Sequence, residues 1–298
     1  MGLHEFLEKY GTEDQCCQAL YQLRWPNEYV CPECGNTTGC QLKTRPLYQC
    51  HKCHHQTSLT AGSVFHGTKL PLNKWFLAIY LLTQRKKSTS ALQLSHEIGV
   101  NYNTAWTIKD KLMRVMMERD QGKRLSGRIE IDDAYLGGER AGKRGRGSPN
   151  KAPFVAAVET TQDGHPMKIQ LRRVQGFRKR EIARYAQSSF APKSHVFSDG
   201  LNCFTGVTEA GCKHSPIVTG GGRQSAQHSC FKWVNTVLGN VKNSLLGTFH
   251  AFREKHVSCY LAEFEYRFNR RFELPTMIER LLFVALRTPP DRATGLAG

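Results

Sequence analysis

Two C-x-x-C pairs near the start of the chain, Cys31-Pro-Glu-Cys34 and Cys50-His-Lys-Cys53, constrain its fold more than any other feature. Fifteen residues separate them. Two knuckles at this spacing can place four thiolates tetrahedrally around one Zn²⁺. Gly35 follows the first pair, where a tight turn needs a permissive backbone. Tyr48-Gln49 before the second pair and Gln56-Thr57-Ser58-Leu59 after it read as short strands, so the segment predicts a zinc ribbon. A pair of redox dithiols is the competing reading, but the βαβ context of such a site is missing. Cys40, His51, His54, His55 and His66 lie close in sequence, which leaves a histidine ligand open. A ribbon this small builds little core, so the metal should supply much of its stability.

The whole chain has 298 residues, 42 Lys and Arg against 25 Asp and Glu, a net charge of +17, and 11 cysteines. A hydrophobic fraction of 40% is too high for a disordered chain and allows about two domains. The longest apolar run, Trp75 to Leu82, falls well short of the ~20 residues that span a bilayer. Met1-Gly2-Leu3-His4-Glu5 lacks the basic start and apolar core of a signal peptide, so the cysteines are expected as thiols or metal ligands rather than disulfides. The charge is uneven: residues 1–70 are neutral, 71–120 carry +4 and 121–298 carry +13. The excess is densest from Lys123 to Lys193. That stretch holds Arg140, Lys143, Arg144 and Arg146 in a glycine-rich run, and then Arg178-Lys179-Arg180. Such a balance points to a polyanion such as nucleic acid, although a solvated surface is the plain alternative.

After the ribbon, Leu72 to Arg85 predicts a helix with an apolar face of Trp75, Phe76, Ile79 and Leu82. Ser88-Thr89-Ser90 offers hydroxyl caps for a second helix, Ala91 to Ile98, and Gly99 makes the turn. A third helix starts near Asn101 and runs to about Arg119, with Ala105, Ile108, Leu112 and Val115 at helical spacing. The short second helix and tight turn suit a helix-turn-helix. Asn101, Tyr102, Asn103, Thr104 and Lys109 would then face a DNA groove or backbone. An ordinary three-helix packing unit fits the same pattern.

The next segment, Gly127 to Gly138, alternates as a strand and carries the doublet Asp132-Asp133. Acids leaving a core strand are costly to bury unless paired or bound to metal. Phe154 to Glu159 and Met167 to Val174 predict two more strands, and Lys179 to Ser188 a helix. A short strand then ends in Asp199-Gly200. A long helix, about Cys230 to Leu246, carries Asn235 and Lys242. Seven steps of about 100° return nearly to the same direction, so both lie on one helix face.

Those residues carry a resemblance. The chain is similar to insertion-sequence transposases of the DDE type, in the ISXO-like group with an N-terminal zinc ribbon. The most specific pieces are Ile131-Asp132-Asp133-Ala-Tyr-Leu-Gly-Gly138, Ser198-Asp199-Gly200, Trp233-Val-Asn235 followed by Lys242, and the block Tyr260 to Arg271. The resemblance implies an α/β chain. Its RNase H-like catalytic domain would be a mixed sheet flanked by helices, preceded by the ribbon and a helix-turn-helix-like region. The expected divisions are 1–66 for an N-terminal helix and ribbon, 67–122 for the DNA-binding helices, 123–288 for the catalytic domain and 289–298 for a loose tail. Asp132, Asp199 and Asn235 match the family's metal ligands, and Lys242 its accompanying lysine, in the Asp-Asp-Asn-Lys variant. Asp133 stays open as the alternative first ligand.

The resemblance further implies two catalytic Mg²⁺ or Mn²⁺ ions, one structural Zn²⁺ held by Cys31, Cys34, Cys50 and Cys53, and double-stranded DNA as partner. The DNA would be the inverted-repeat ends and a target, engaged by a homo-oligomer in the cytoplasm near the nucleoid, with no membrane role. Three alternatives remain at this level. The third ligand could be Glu254, Glu263 or Glu265. The late cysteines and histidines (Cys203, Cys212, Cys230, Cys259, His214, His228, His256) could form a second metal site. Or the chain could be an inactive zinc-ribbon regulator that only binds DNA.

Overall fold

The structure is a computed structural model and describes residues 1–137, 151–218, 228–249 and 254–290. In chain order its elements are α1 (Leu3–Tyr10), α2 (Glu13–Arg24), β1 (Gly39–Gln41), β2 (Leu47–Cys50), β3 (Gln56–Ser58), α3 (Leu72–Gln84), α4 (Ala91–Ile98) and α5 (Tyr102–Asp120). Then follow β4 (Arg128–Leu136), β5 (Ala152–Thr160), β6 (Pro166–Arg173), α6 (Lys179–Ser189), β7 (His195–Ser198), β8 (Lys213–Pro216), α7 (Lys232–Leu246), α8 (Val257–Asn269) and α9 (Met277–Ala285). The chain divides into two compact units. One comprises 1–85, 91–115 and 272 to the end; the other comprises 86–90 and 116–271. Among the described residues, no helix is long and apolar enough to cross a membrane.

The first unit is helices plus the ribbon. Thr12 and Gln15 cap α2 reciprocally, which fixes its start. α3 begins after Pro71, which has no capping side chain, and its first amides are satisfied from another helix: the Glu13 carboxylate accepts the N–H groups of Leu72 at 2.8 Å and Asn73 at 3.0 Å. Rings pack the helices together, with Phe6 against Tyr80 at 4.6 Å and Tyr10 against Phe76 at 5.2 Å between centroids. β1, β2 and β3 form a three-stranded antiparallel sheet. Tyr21, Trp25, Tyr29 and Tyr48 form its apolar floor. Gly39 is required there, because a Cβ would meet the Tyr29 ring at 2.7 Å.

The last helix belongs to this first unit, not to the region 123–288 expected from the sequence. The apolar face of α9, with Met277, Ile278, Leu281, Leu282 and Ala285 buried, packs on α3 and α2. Lys9 pairs with Glu279 at 2.6 Å, and Val64 N–H bonds to the Ala285 carbonyl at 3.2 Å.

The second unit is built on a five-stranded sheet in the order β6-β5-β4-β7-β8. β4, β5 and β6 form an antiparallel meander, and β4, β7 and β8 run parallel. One face buries Ile129, Ile131, Val155 and Ala157 against Ile182, Tyr185 and Ala186 of α6 and against Phe204 and Val207. α7 packs on β4 and β5, and α8 packs on β6. The block Tyr260 to Arg271 anchors α8 to the open edge of the sheet. Asn269 accepts from Ile169 N–H at 2.8 Å and donates to its carbonyl at 3.0 Å, and Glu265 accepts from Leu171 N–H at 2.8 Å. An exposed strand edge is thereby covered. Arg270 makes a two-pronged contact to Asp120 at 2.9 and 2.5 Å and lies 3.7 Å from the Tyr266 ring centroid.

Candidate functional site

The ribbon's four cysteines converge. The Sγ atoms of Cys31 and Cys53 lie 3.6 Å apart, as do those of Cys34 and Cys50, and all four fall within 4.8 Å of one another. Tetrahedral Zn²⁺ with bonds of about 2.3 Å sets S···S near 3.8 Å, whereas a disulfide needs about 2.05 Å. The donor set therefore fits zinc. Each knuckle turns through a left-handed residue just after its second cysteine, Gly35 at φ +68° and His54 at φ +56°. The histidine there shapes the backbone, and among the described residues no histidine joins the sulfur cluster. Burial opposes ionisation of Cys50, but the backbone N–H groups of Cys53 and Lys52 and the Asn36 amide bring its thiol down to about 6.

The carboxylates converge in the sheet unit. β4 and β7 pair in parallel with Glu130 opposite Phe197, so two residues on, midway along β4 and just past the end of β7, Asp132 comes beside Asp199. Carboxylate oxygens of Asp132, Asp133 and Asp199 lie within 4.8 Å of one another. Asp132 accepts from Asp133 N–H at 2.8 Å, and Asp199 from Leu201 N–H at 3.0 Å, which orients both. Burial pushes the Asp132 carboxyl up to about 7. The Asp133 amide and the Lys242 charge lower it, and the Asp133 and Asp199 charges raise it. Three acids so placed form a hard-oxygen set that a divalent cation fits and that is repulsive without one. The Lys242 effect on Asp132 brings α7 to this same group. Asn235 lies half-buried in the first turn of that helix.

Glu130 was not singled out by sequence. It lies on the same strand face as Asp132, is 1% exposed, and accepts the backbone N–H groups of Trp233 and Val234, each at 3.0 Å. An acid inside an apolar strand was the available signal, but sequence could not name its partner.

The other acids considered for the third ligand are engaged elsewhere. Glu254 pairs with Arg173, Glu263 accepts from Ser88 Oγ at 2.7 Å beside Arg267, and Glu265 holds β6. The Ser88 hydroxyl thus goes to Glu263 instead of capping α4. Among the described residues, only the four-cysteine and three-aspartate groups gather enough such side chains for a metal. The late cysteines and histidines do not form a third.

The expected DNA-facing residues separate. Asn101 caps α5 through Thr104 N–H at 2.8 Å, and Asn101, Tyr102 and Asn103 are exposed around that helix start, with Thr104 half-buried. Lys109 is a correction: it is 0% exposed and cannot reach DNA. It falls four residues after Ala105 and four before Met113, both buried, so helical periodicity turns it into the core. Arg178, Lys179 and Arg180 are exposed at the start of α6, with Lys179 3.4 Å from Glu209. Arg140, Lys143, Arg144 and Arg146 lie outside the described residues.

Comparison with known proteins agrees with both clusters. Residues 124–269 match the ISXO2-like transposase domain, and residues 11–56 match the transposase zinc-ribbon domain. Both clusters therefore lie within segments that match transposase domain models. A 144-residue stretch, 47% of the chain, is 31% identical to an uncharacterized protein in transposable element ISH50 of Halobacterium salinarum. That stretch spans 46% of the relative, about half its length.

Proposed function

We propose that the chain is an active DNA transposase of the Asp-Asp-Asn-Lys type, cutting at insertion-sequence inverted-repeat ends and joining the freed 3′-OH to target DNA. The observation that carries this reading is the convergence of Asp132, midway along β4, with Asp199, just past the end of the parallel neighbour β7, with the Lys242 charge acting on Asp132. The strand order, an antiparallel meander continued by two parallel strands, supports an RNase H-like domain.

In the first step a water oxygen attacks a phosphodiester in line, the P–O3′ bond breaks, and a 3′-OH is released. In the second, that 3′-OH attacks a target phosphodiester, and the leaving oxygen is the target's own 3′ oxygen. Two Mg²⁺ or Mn²⁺ held here would supply the charge that stabilises the attacking and leaving oxygens. Asp132 and Asp199 would be the anionic ligands, and Asn235 would offer a neutral carbonyl oxygen. Asp132 is preferred over Asp133 because it shares its face with Glu130, which touches α7. Lys242, cationic and unable to ligate while charged, holds a phosphate oxygen near the scissile bond.

Asn101, Tyr102, Asn103 and Thr104 read the transposon end, helped by the ribbon. Arg178, Lys179 and Arg180 grip backbone phosphates. Three cations at a helix N-terminus oppose the helix dipole, and a phosphate placed there relieves that conflict. A homo-oligomer would hold the paired ends.

Purified full chain with Mn²⁺ and a labelled inverted-repeat end should nick it. Asp132→Ala, Asp199→Ala and Asn235→Ala should each lower the rate by at least ~10³-fold. Wild-type rates in Asp199→Ala would remove the assignment. Binding without nicking by the wild type would leave the inactive-regulator reading.

A further inference from the structure

We propose that Glu130 is a positioning residue that sets Asn235 and Lys242 against Asp132 by capping the helix that carries them; this rests on the cleavage reading above. α7 starts without a cap of its own, since Phe231 at its N-cap has no side-chain hydrogen bond. The backbone amides of its second and third residues, Trp233 and Val234, instead both donate to Glu130 Oε2 at 3.0 Å. A negative charge at a helix N-terminus is favourable, and a buried one bonded to two amides fixes the axis as well as the start. Asn235 is the next residue along. Glu130 is two residues before Asp132 on one strand face, so one rigid strand holds both the cap and the first ligand.

The cap is itself braced. Arg128 donates to the other oxygen, Glu130 Oε1, at 2.8 Å and to Thr160 Oγ1 at 3.1 Å. Its guanidinium lies 4.7 Å from the centroid of Phe197, two residues before Asp199. Trp233 Nε1 also donates to the Gly164 carbonyl, at the turn between β5 and β6. One ion pair therefore links β4, β5, β7 and α7, and three of these carry a proposed ligand. Displacing a reacting group by about 1 Å can cost on the order of 10²-fold in rate. Loss of groups that orient metal ligands costs about 10–100-fold in metal affinity or activity.

The test uses the full zinc-loaded chain and three variants: Glu130→Ala, Glu130→Gln and Arg128→Met. Hydrogen exchange at Trp233, Val234 and Asn235 should speed up in Glu130→Ala, while exchange in β4 and β5 stays slow. The nicking rate constant should fall by about 10²-fold, with a raised Mn²⁺ requirement and unchanged affinity for the DNA end. Glu130→Gln keeps one acceptor oxygen for both amides and should recover part of the rate. Asp132→Ala serves as the reference. If it is dead while Glu130→Ala exchanges, binds Mn²⁺ and cuts like wild type, the positioning role alone is overturned. If Asp132→Ala cuts normally, the cleavage reading fails instead. Rate, DNA affinity and melting temperature all falling together, with exchange rising across the whole sheet, would mean a general structural role and would also overturn the proposal. Unaltered exchange at Trp233 and Val234 overturns it without any reference to activity.

Discussion

The two clusters place their ligands by opposite means. The ribbon's cysteines are held by turns in a short three-stranded sheet, and beyond four tethering aromatic rings little apolar core supports them. The aspartates sit midway along one strand and just past the end of its parallel neighbour, on a sheet whose other face is buried in a continuous core of Ile129, Ile131, Ile182, Tyr185 and Phe204. In the first case zinc would supply much of the stability. In the second, the fold brings like charges together whether or not a cation is bound. The first is a closed sulfur set suited to structure, and the second is an open oxygen set suited to chemistry.

The contrast can be broken most forcefully by removing zinc. Chelation, or Cys50→Ser, should drop zinc from one per chain to none and unfold residues 31–58 by hydrogen exchange, with protection in β4 and β5 kept. Loss of protection in both regions together would erase the distinction. A smaller effect is expected at Lys242→Ala: nicking down about 10–100-fold with the fold unchanged, and a weaker dependence of the rate on salt.

The strain in the aspartate set has a pH signature. The folded Asp132 carboxyl, at about 7 against an ordinary 3.8, holds its proton more tightly than the unfolded chain does. Stability should therefore be lost as pH rises from about 4 to 7, and the loss is complete above that. In zinc-loaded protein without added Mg²⁺ or Mn²⁺, Asp132→Asn should raise the melting temperature by a few °C at pH 8 and by nearly nothing at pH 4. An equal gain at both pH values would contradict the cause given. The smallest contrast lies within α5. Asn103→Ala should weaken binding to the DNA end by about 1 kcal/mol with stability unchanged. Lys109→Ala should lower stability with little direct effect on DNA.

Much of this was legible in the sequence where spacing alone carries geometry. Two C-x-x-C pairs fifteen residues apart meet in space as read, and from Arg128 to Leu246 each predicted strand and helix falls within a residue or two of expectation, whereas β8 (Lys213–Pro216) and the 3-10 helix Asn202–Ala210 are not among the predicted elements. Lys109 was misread because lysine suggests a surface, although its spacing from Ala105 and Met113 already put it on the inner face. The doublet Asp132-Asp133 was ambiguous because alternation shows two faces without saying which one meets α7. The grouping of α9 with α1, α2 and α3 was out of reach, since packing between segments more than 190 residues apart leaves no local trace. The same holds for Glu130, whose partners lie 103 and 104 residues on.

The most direct measurement is Mn²⁺ binding to the zinc-loaded full chain, followed by electron paramagnetic resonance, in wild type and in Asp199→Ala. The account predicts Mn²⁺ bound by the wild type with zinc retained, and that binding weakened at least ~10-fold by the substitution. Equal Mn²⁺ binding in both proteins, or Mn²⁺ taken up only as zinc leaves, would contradict it.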